Sequence, residues 1–160
     1  MTLDEITKTA IDPAMAMLPT SMDSPEARLL LLTIGLQESR FVHRKQMGDG
    51  PARGFWQFER GGGVKGVLNH KSSSLLAKHI CTQRKVSPTQ LAVWEALGVD
   101  DVLAAAFARL LLFTDPFKLP AIGNIDGAWD LYAKRCWRPG KPHPQTWAGY
   151  YQQARQYLGV

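Results

Sequence analysis

Leu29-Leu30-Leu31-Leu32-Thr33-Ile34-Gly35-Leu36-Gln37-Glu38-Ser39-Arg40-Phe41 is apolar almost throughout and then ends on a carboxylate. A helix that is apolar on all sides is a buried one, so this stretch reads as the central helix of the fold. Ser24-Pro25-Glu26 supplies its start, with a Ser N-cap, a Pro in the first turn and an early carboxylate. The helix is expected to run from there to about Ser39. Glu38 then stands where a buried helix emerges beside aromatic side chains. Burial disfavours its ionised form, and the negative end of the helix dipole acts in the same direction. Two readings are open at this point: a carboxylic acid kept protonated near neutral pH, or an exposed glutamate paired with Arg40.

Outward from this helix, most of the chain has helical periodicity. Residues 3 to 18 place Leu3, Ile6, Ala10, Ala14, Met17 and Leu18 at helical spacing, with a break expected at Pro13. Met47-Gly48-Asp49-Gly50-Pro51-Ala52-Arg53-Gly54 is rich in turn formers and predicts a loop or short hairpin. Helices are expected again over about Val64 to His70 and Ser73 to Lys85. Ser87-Pro88-Thr89-Gln90 predicts a further start, with Gln90 placed for a capping box and Gly98 as the stop. Asp100 or Asp101 is expected to cap the helix through Leu103, Phe107 and Leu111, and Asp126 the one through Trp129, Tyr132 and Cys136. Arg138-Pro139-Gly140-Lys141-Pro142-His143-Pro144 cannot be regular helix, and a last helix is expected from Pro144 to Leu158. The expected fold is mainly α, a helical bundle around a buried central helix, with a small loop or hairpin lobe beside it. No repeat or linker divides residues 1–160, which reads as a single domain.

The 160 residues are 45% hydrophobic and 21% charged, enough apolar material for a full core. The net charge of +5 favours anionic partners. The basic residues are scattered, however, and no helix carries a Lys and Arg recognition stripe, so nucleic acid is not the expected partner. Cys81 and Cys136 lack a CxxC spacing and read as two buried free thiols. His70, His79 and Cys81 fit no common zinc pattern, and neither metal nor cofactor is expected. The N-terminus lacks the basic start of a secretory signal, and Leu29 to Leu36 is too short to cross a bilayer. The expectation is a soluble product made in the cytoplasm, with no stable membrane association.

Glu38-Ser39-Arg40-Phe41, followed by Gly54-Phe55-Trp56-Gln57-Phe58, resembles the two leading motifs of lysozyme-like lytic transglycosylases. These are a Glu-Ser-x-Phe catalytic motif and a Gly-Leu-Met-Gln substrate motif. The interval from Glu38 to Gln57, 19 residues, suits that family. Tyr132, ahead of Trp137-Arg138-Pro139-Gly140, is the counterpart of its later Tyr. Phe55-Trp56 stands in place of Leu-Met, and the Asn beside the family's Tyr is missing. The resemblance implies an α+β lysozyme-like fold, with the 43–58 segment as the wall opposite Glu38. It also implies cleavage of the β-1,4 bond between N-acetylmuramic acid and N-acetylglucosamine in peptidoglycan. It extends to bacteriophage cell-wall enzymes, which reach the periplasm through a holin or the virion and would bring other lysis or virion proteins as partners.

Under that resemblance Glu38 is the proton donor to the leaving oxygen. A hydrolase would need a second carboxylate, and the candidates are Asp49, in a glycine-flanked turn, and Glu59. The family mechanism instead uses the sugar's own N-acetyl group, with Glu38 acting first as acid and then as base. Ser39, Gly54, Phe55, Gln57, Phe58, Tyr132 and Arg138 are the expected substrate-binding residues. Each also has an ordinary reading: a solvated helix-end Ser39, core aromatics at Phe55 and Phe58, a helix-interface Tyr132, a surface Arg138. The alternatives to a transglycosylase are a muramidase cutting the same bond with water and an inactive lysozyme-like glycan-binding or virion module.

Overall fold

The computed structural model describes residues 1–160 and is mostly helical, with almost no strand. In chain order the helices are α1 (Leu3–Ile6), α2 (Asp12–Ala16), α3 (Pro25–Ser39), α4 (Lys65–Asn69), α5 (Ser74–Gln83), α6 (Gln90–Leu97), α7 (Asp101–Phe113), α8 (Ile125–Trp129) and α9 (Pro144–Leu158). They enclose one hydrophobic core of 42 buried residues, so the chain folds around a single apolar centre. No helix is long and apolar enough to cross a membrane.

Helix α3 has the expected bounds. Ser24 accepts a hydrogen bond from the Ala27 N–H at 3.1 Å, and Pro25 occupies the first turn, where its missing N–H costs nothing. Every residue from Leu29 to Leu36 is buried. The helix packs along α9 and crosses α7, which is itself buried from Leu103 to Leu112. Two inner helices therefore share the centre, where the periodicity had singled out one.

Pro13 does not break the first helical segment. A wide π turn over Thr7–Ile11, closed by the Asp12 N–H on the Thr7 carbonyl, leads straight into α2. The extra residue in the turn accommodates a ring that lacks a donor. Two caps also differ from expectation. Thr89, not Ser87, caps α6 through the Ala92 N–H, and Asn124, not Asp126, caps the helix leading to Tyr132 through the Gly127 N–H. Asp100 caps α7 as expected. Cys81 and Cys136 are both buried and free.

The 43–58 segment is a loop held by two isolated antiparallel bridges, Lys45 with Arg53 and Arg53 with Phe58. Arg44 fixes it to the start of α7 through a bidentate pair with Asp101 (2.8 Å for both bonds) and lies 4.4 Å over the Phe55 ring. Trp94 of α6 holds it from the other side by donating to the Pro51 carbonyl at 2.7 Å.

α3 stops where the chain turns left-handed at two consecutive non-glycine residues, Arg40 (φ 54°) and Phe41 (φ 55°). A bulky residue in that region is strained. What holds Phe41 there is its ring, which is 1% exposed and makes edge contacts with Phe55 (5.7 Å) and Trp56 (5.6 Å). Gly35 provides the space: a Cβ at that position would overlap the Phe41 ring. Gly35→Ala is therefore expected to destabilise the protein by about 1–3 kcal/mol, read as a lower midpoint in urea denaturation.

Candidate active site

The turn at Arg40 leaves Glu38 at the edge of the core, opening on a cavity of ≈ 1070 Å³. One wall comes from the 43–58 loop, with Gln57 and Phe58 on the inner side. Tyr132, Trp137 and most of the 138–146 segment also line the cavity. This volume lies just above the roughly 300–1,000 Å³ usual for small-ligand pockets.

Glu38 does not pair with Arg40. The Tyr132 hydroxyl donates to its Oε1 at 2.6 Å. Burial pushes the carboxyl up to about 7, and the Tyr132 bond, which favours the ionised form, pulls the other way with smaller effect. The phenol in turn is pushed up, by burial first and then by the neighbouring carboxylate, so it stays a donor. A carboxylic acid half-protonated near pH 7 and in contact with a cleft is suited to proton transfer.

Tyr132 is held firmly. It is 2% exposed, its ring stacks on Trp147 (4.9 Å between centroids, 8° between planes), and Trp129 packs on it edge-on at 5.5 Å. It lies in a π stretch, Asp130–Cys136, where the Trp137 N–H donates to its carbonyl at 2.9 Å. The wide turn brings Trp137 to the same cavity. Trp137 donates its Nε1–H to the Trp56 carbonyl at 2.8 Å, bridging the two walls.

Ser39 does not face a ligand with its hydroxyl. It is 6% exposed, donates to the Phe55 carbonyl at 2.7 Å and accepts from the Phe41 N–H at 3.1 Å. It fastens the end of α3 to the 54–57 turn. Gly54 and Phe55, unlike Ser39, do not line the cavity. Gly54 has φ 78°, and a Cβ there would come within 2.8 Å of the Leu97 carbonyl, so its small size serves packing on α6. Phe55, 1% exposed, is core, as is Trp56, which donates to the Leu31 carbonyl of α3 at 2.8 Å.

Gln57 lines the cavity at φ 52°, and its Nε2 donates to the Gly54 carbonyl at 2.9 Å rather than to Glu38. Phe58 lines it too but is 2% exposed, with its ring against Phe107 and Trp137. Arg138 is exposed on the wall at φ 47°. Asp49 sits exposed at a left-handed turn (φ 57°) outside the cavity, so it is no second carboxylate for Glu38. Glu59 is the other carboxylate lining the cavity, and it is exposed.

Sequence reasoning missed two wall residues. Gln37 accepts from the Thr146 hydroxyl at 2.9 Å and donates to the His143 carbonyl at 2.9 Å, tying the proline-rich wall to the helix that carries Glu38. Trp137 was visible only as a neighbour of Arg138. No group of three or more His, Cys, Asp and Glu side chains converges in metal-binding geometry. No protein-family model, curated protein or solved structure matches the chain.

Tyr132→Phe removes the bond that favours ionised Glu38, so the carboxyl is expected to titrate above its present value of about 7. NMR titration of the Glu38 side chain in the two proteins measures this. Ser39→Ala leaves the Phe55 carbonyl and Phe41 N–H unpartnered and is expected to cost about 1–3 kcal/mol of stability in chemical denaturation.

Proposed function

We propose that the protein is a peptidoglycan-cleaving enzyme with a lysozyme-like arrangement, acting as a lytic transglycosylase on the bond between N-acetylmuramic acid and N-acetylglucosamine. The observation that carries this reading is Glu38, an acid raised to about 7 and held by Tyr132 at the edge of a large open cavity. The spacing of the Glu38 and Gln57 motifs, and the hydrogen bond that joins them through Ser39 and Phe55, support it.

In the proposed reaction, protonated Glu38 gives its proton to the glycosidic oxygen as the C1–O4 bond breaks. The sugar's own N-acetyl carbonyl stabilises the cationic C1. Glu38, now a carboxylate, keeps the hydrogen bond from Tyr132. It then takes the proton from the C6 hydroxyl while O6 bonds to C1, closing a 1,6-anhydro ring. The proton count balances, Glu38 is restored and no water is consumed. The absence of a second buried carboxylate in the cleft favours this route over a two-carboxylate hydrolysis.

The free enzyme must hold Glu38 protonated. Its activity is therefore expected to fall as pH rises through about 7, by about tenfold for each further pH unit, and the descending limb moves to higher pH in Tyr132→Phe. Mass spectrometry of digested peptidoglycan tests the reaction itself. Ends lighter by one water than reducing ends are expected; reducing ends alone would indicate a muramidase. Glu38→Gln is expected to keep its fold and lose about 10³-fold or more in rate. Wild-type activity in that variant would remove Glu38 from the chemistry.

A further inference from the structure

Four cations, Arg40, Lys45, Arg138 and Lys141, line the cleft, and all four are exposed. None of them is ion-paired with a carboxylate of the protein. Against them stand two carboxylates: exposed Glu59, and Glu38, which is half-neutral near pH 7. The cavity thus carries a net positive lining, contributed by separate segments. Lys45 belongs to the 43–58 loop, Arg138 and Lys141 to the 138–146 segment, and Arg40 to the turn that ends α3.

The backbone beneath two of these cations is constrained. Arg138 and Arg40 have left-handed backbones (φ 47° and 54°). Trp137, beside Arg138, is anchored on Trp56, and the Arg138–Pro144 wall contains three prolines and is tied to α3 through Gln37 and His143. Unpaired charges of one sign lining an open cavity suit a strand that carries the opposite charge at intervals. A neutral glycan would leave all four without counterparts.

We propose that the cleft selects glycan strands bearing carboxylate-rich peptide stems, with Arg40, Lys45, Arg138 and Lys141 pairing with carboxylates along the strand. This inference rests on the glycan-cleaving reading above and adds the substrate's charge as a selection criterion.

The test compares soluble uncrosslinked peptidoglycan strands with the same strands after their carboxylates are converted to neutral amides by carbodiimide and ammonia. KM is measured with the wild-type protein, and Kd by co-sedimentation with the Glu38→Gln variant. An exposed charge contact contributes about two- to threefold, so the untreated strands are expected to have KM and Kd lower by about tenfold or more. That advantage is expected to fade at ~1 M salt, where the screening length is about 3 Å. Replacing Arg138 and Lys141 together by Gln is expected to shrink the ratio between the two strands by about four- to ninefold, two contacts' worth. Equal KM and Kd for treated and untreated strands would overturn the inference while leaving glycan cleavage intact. Cleavage of neither strand, with Glu38→Gln still binding untreated strands more tightly, would instead overturn the catalytic reading and leave the charged grip standing.

Discussion

The fit of the Phe41 ring against Gly35 decides where the buried helix stops. α3 is apolar on every side and would run on into the core if nothing turned it. Phe41 folds back onto the notch at Gly35, and its packing against Phe55 and Trp56 holds two left-handed residues that would otherwise be unfavourable. The position of Glu38 at the cleft is a consequence of that stop. So is the place of the 54–57 turn, because Ser39, one residue from the end of α3, is hydrogen-bonded to the Phe55 carbonyl.

The electrostatics of Glu38 follow from opposing forces of unequal size. Desolvation raises its pKa, and one short hydrogen bond from a phenol lowers it. Because desolvation is larger, the group ends near neutrality and not in the usual carboxylate range. The phenol can perform this role only if it is fixed, and three aromatic residues around it, Trp129, Trp137 and Trp147, restrict its ring. The same indoles close the wall: Trp137 reaches Trp56 across the end of the cleft.

The strained backbone is concentrated at this place. Arg40, Phe41, Gln57 and Arg138 have positive φ and all lie at or beside the cleft; among non-glycine residues only Asp49 and Lys85 share the conformation elsewhere. Strain of this kind persists where the surroundings over-determine it. At Gln57 the over-determination is visible, since both its backbone N–H and its Nε2 donate to the Gly54 carbonyl. Gly54, Phe55 and Ser39, which sequence alone presented as substrate contacts, are the supports that keep Gln57 and Glu38 in place.

The sequence by itself determined the local events. The bounds of α3 follow from its N-cap and apolar run, the start of α9 from Pro144, the cap of α7 from the Asp100-Asp101 pair, and the 43–58 loop from its turn formers. These are decisions made within a few residues, where a missing N–H or an unpaired donor has a nearby solution. The shifts from Ser87 to Thr89 and from Asp126 to Asn124 mark the limit of such reading, because two adjacent residue types can satisfy the same donors. Only the tertiary structure decided that Tyr132 meets Glu38 across 94 residues of chain. It also decided that Trp137 faces the cleft: five positions on from Tyr132, an α-helix would place it about 140° around, and the π turn brings it back. Burial and long-range contact set the pKa of Glu38 as well, and neither is a property of the residues next to it in sequence.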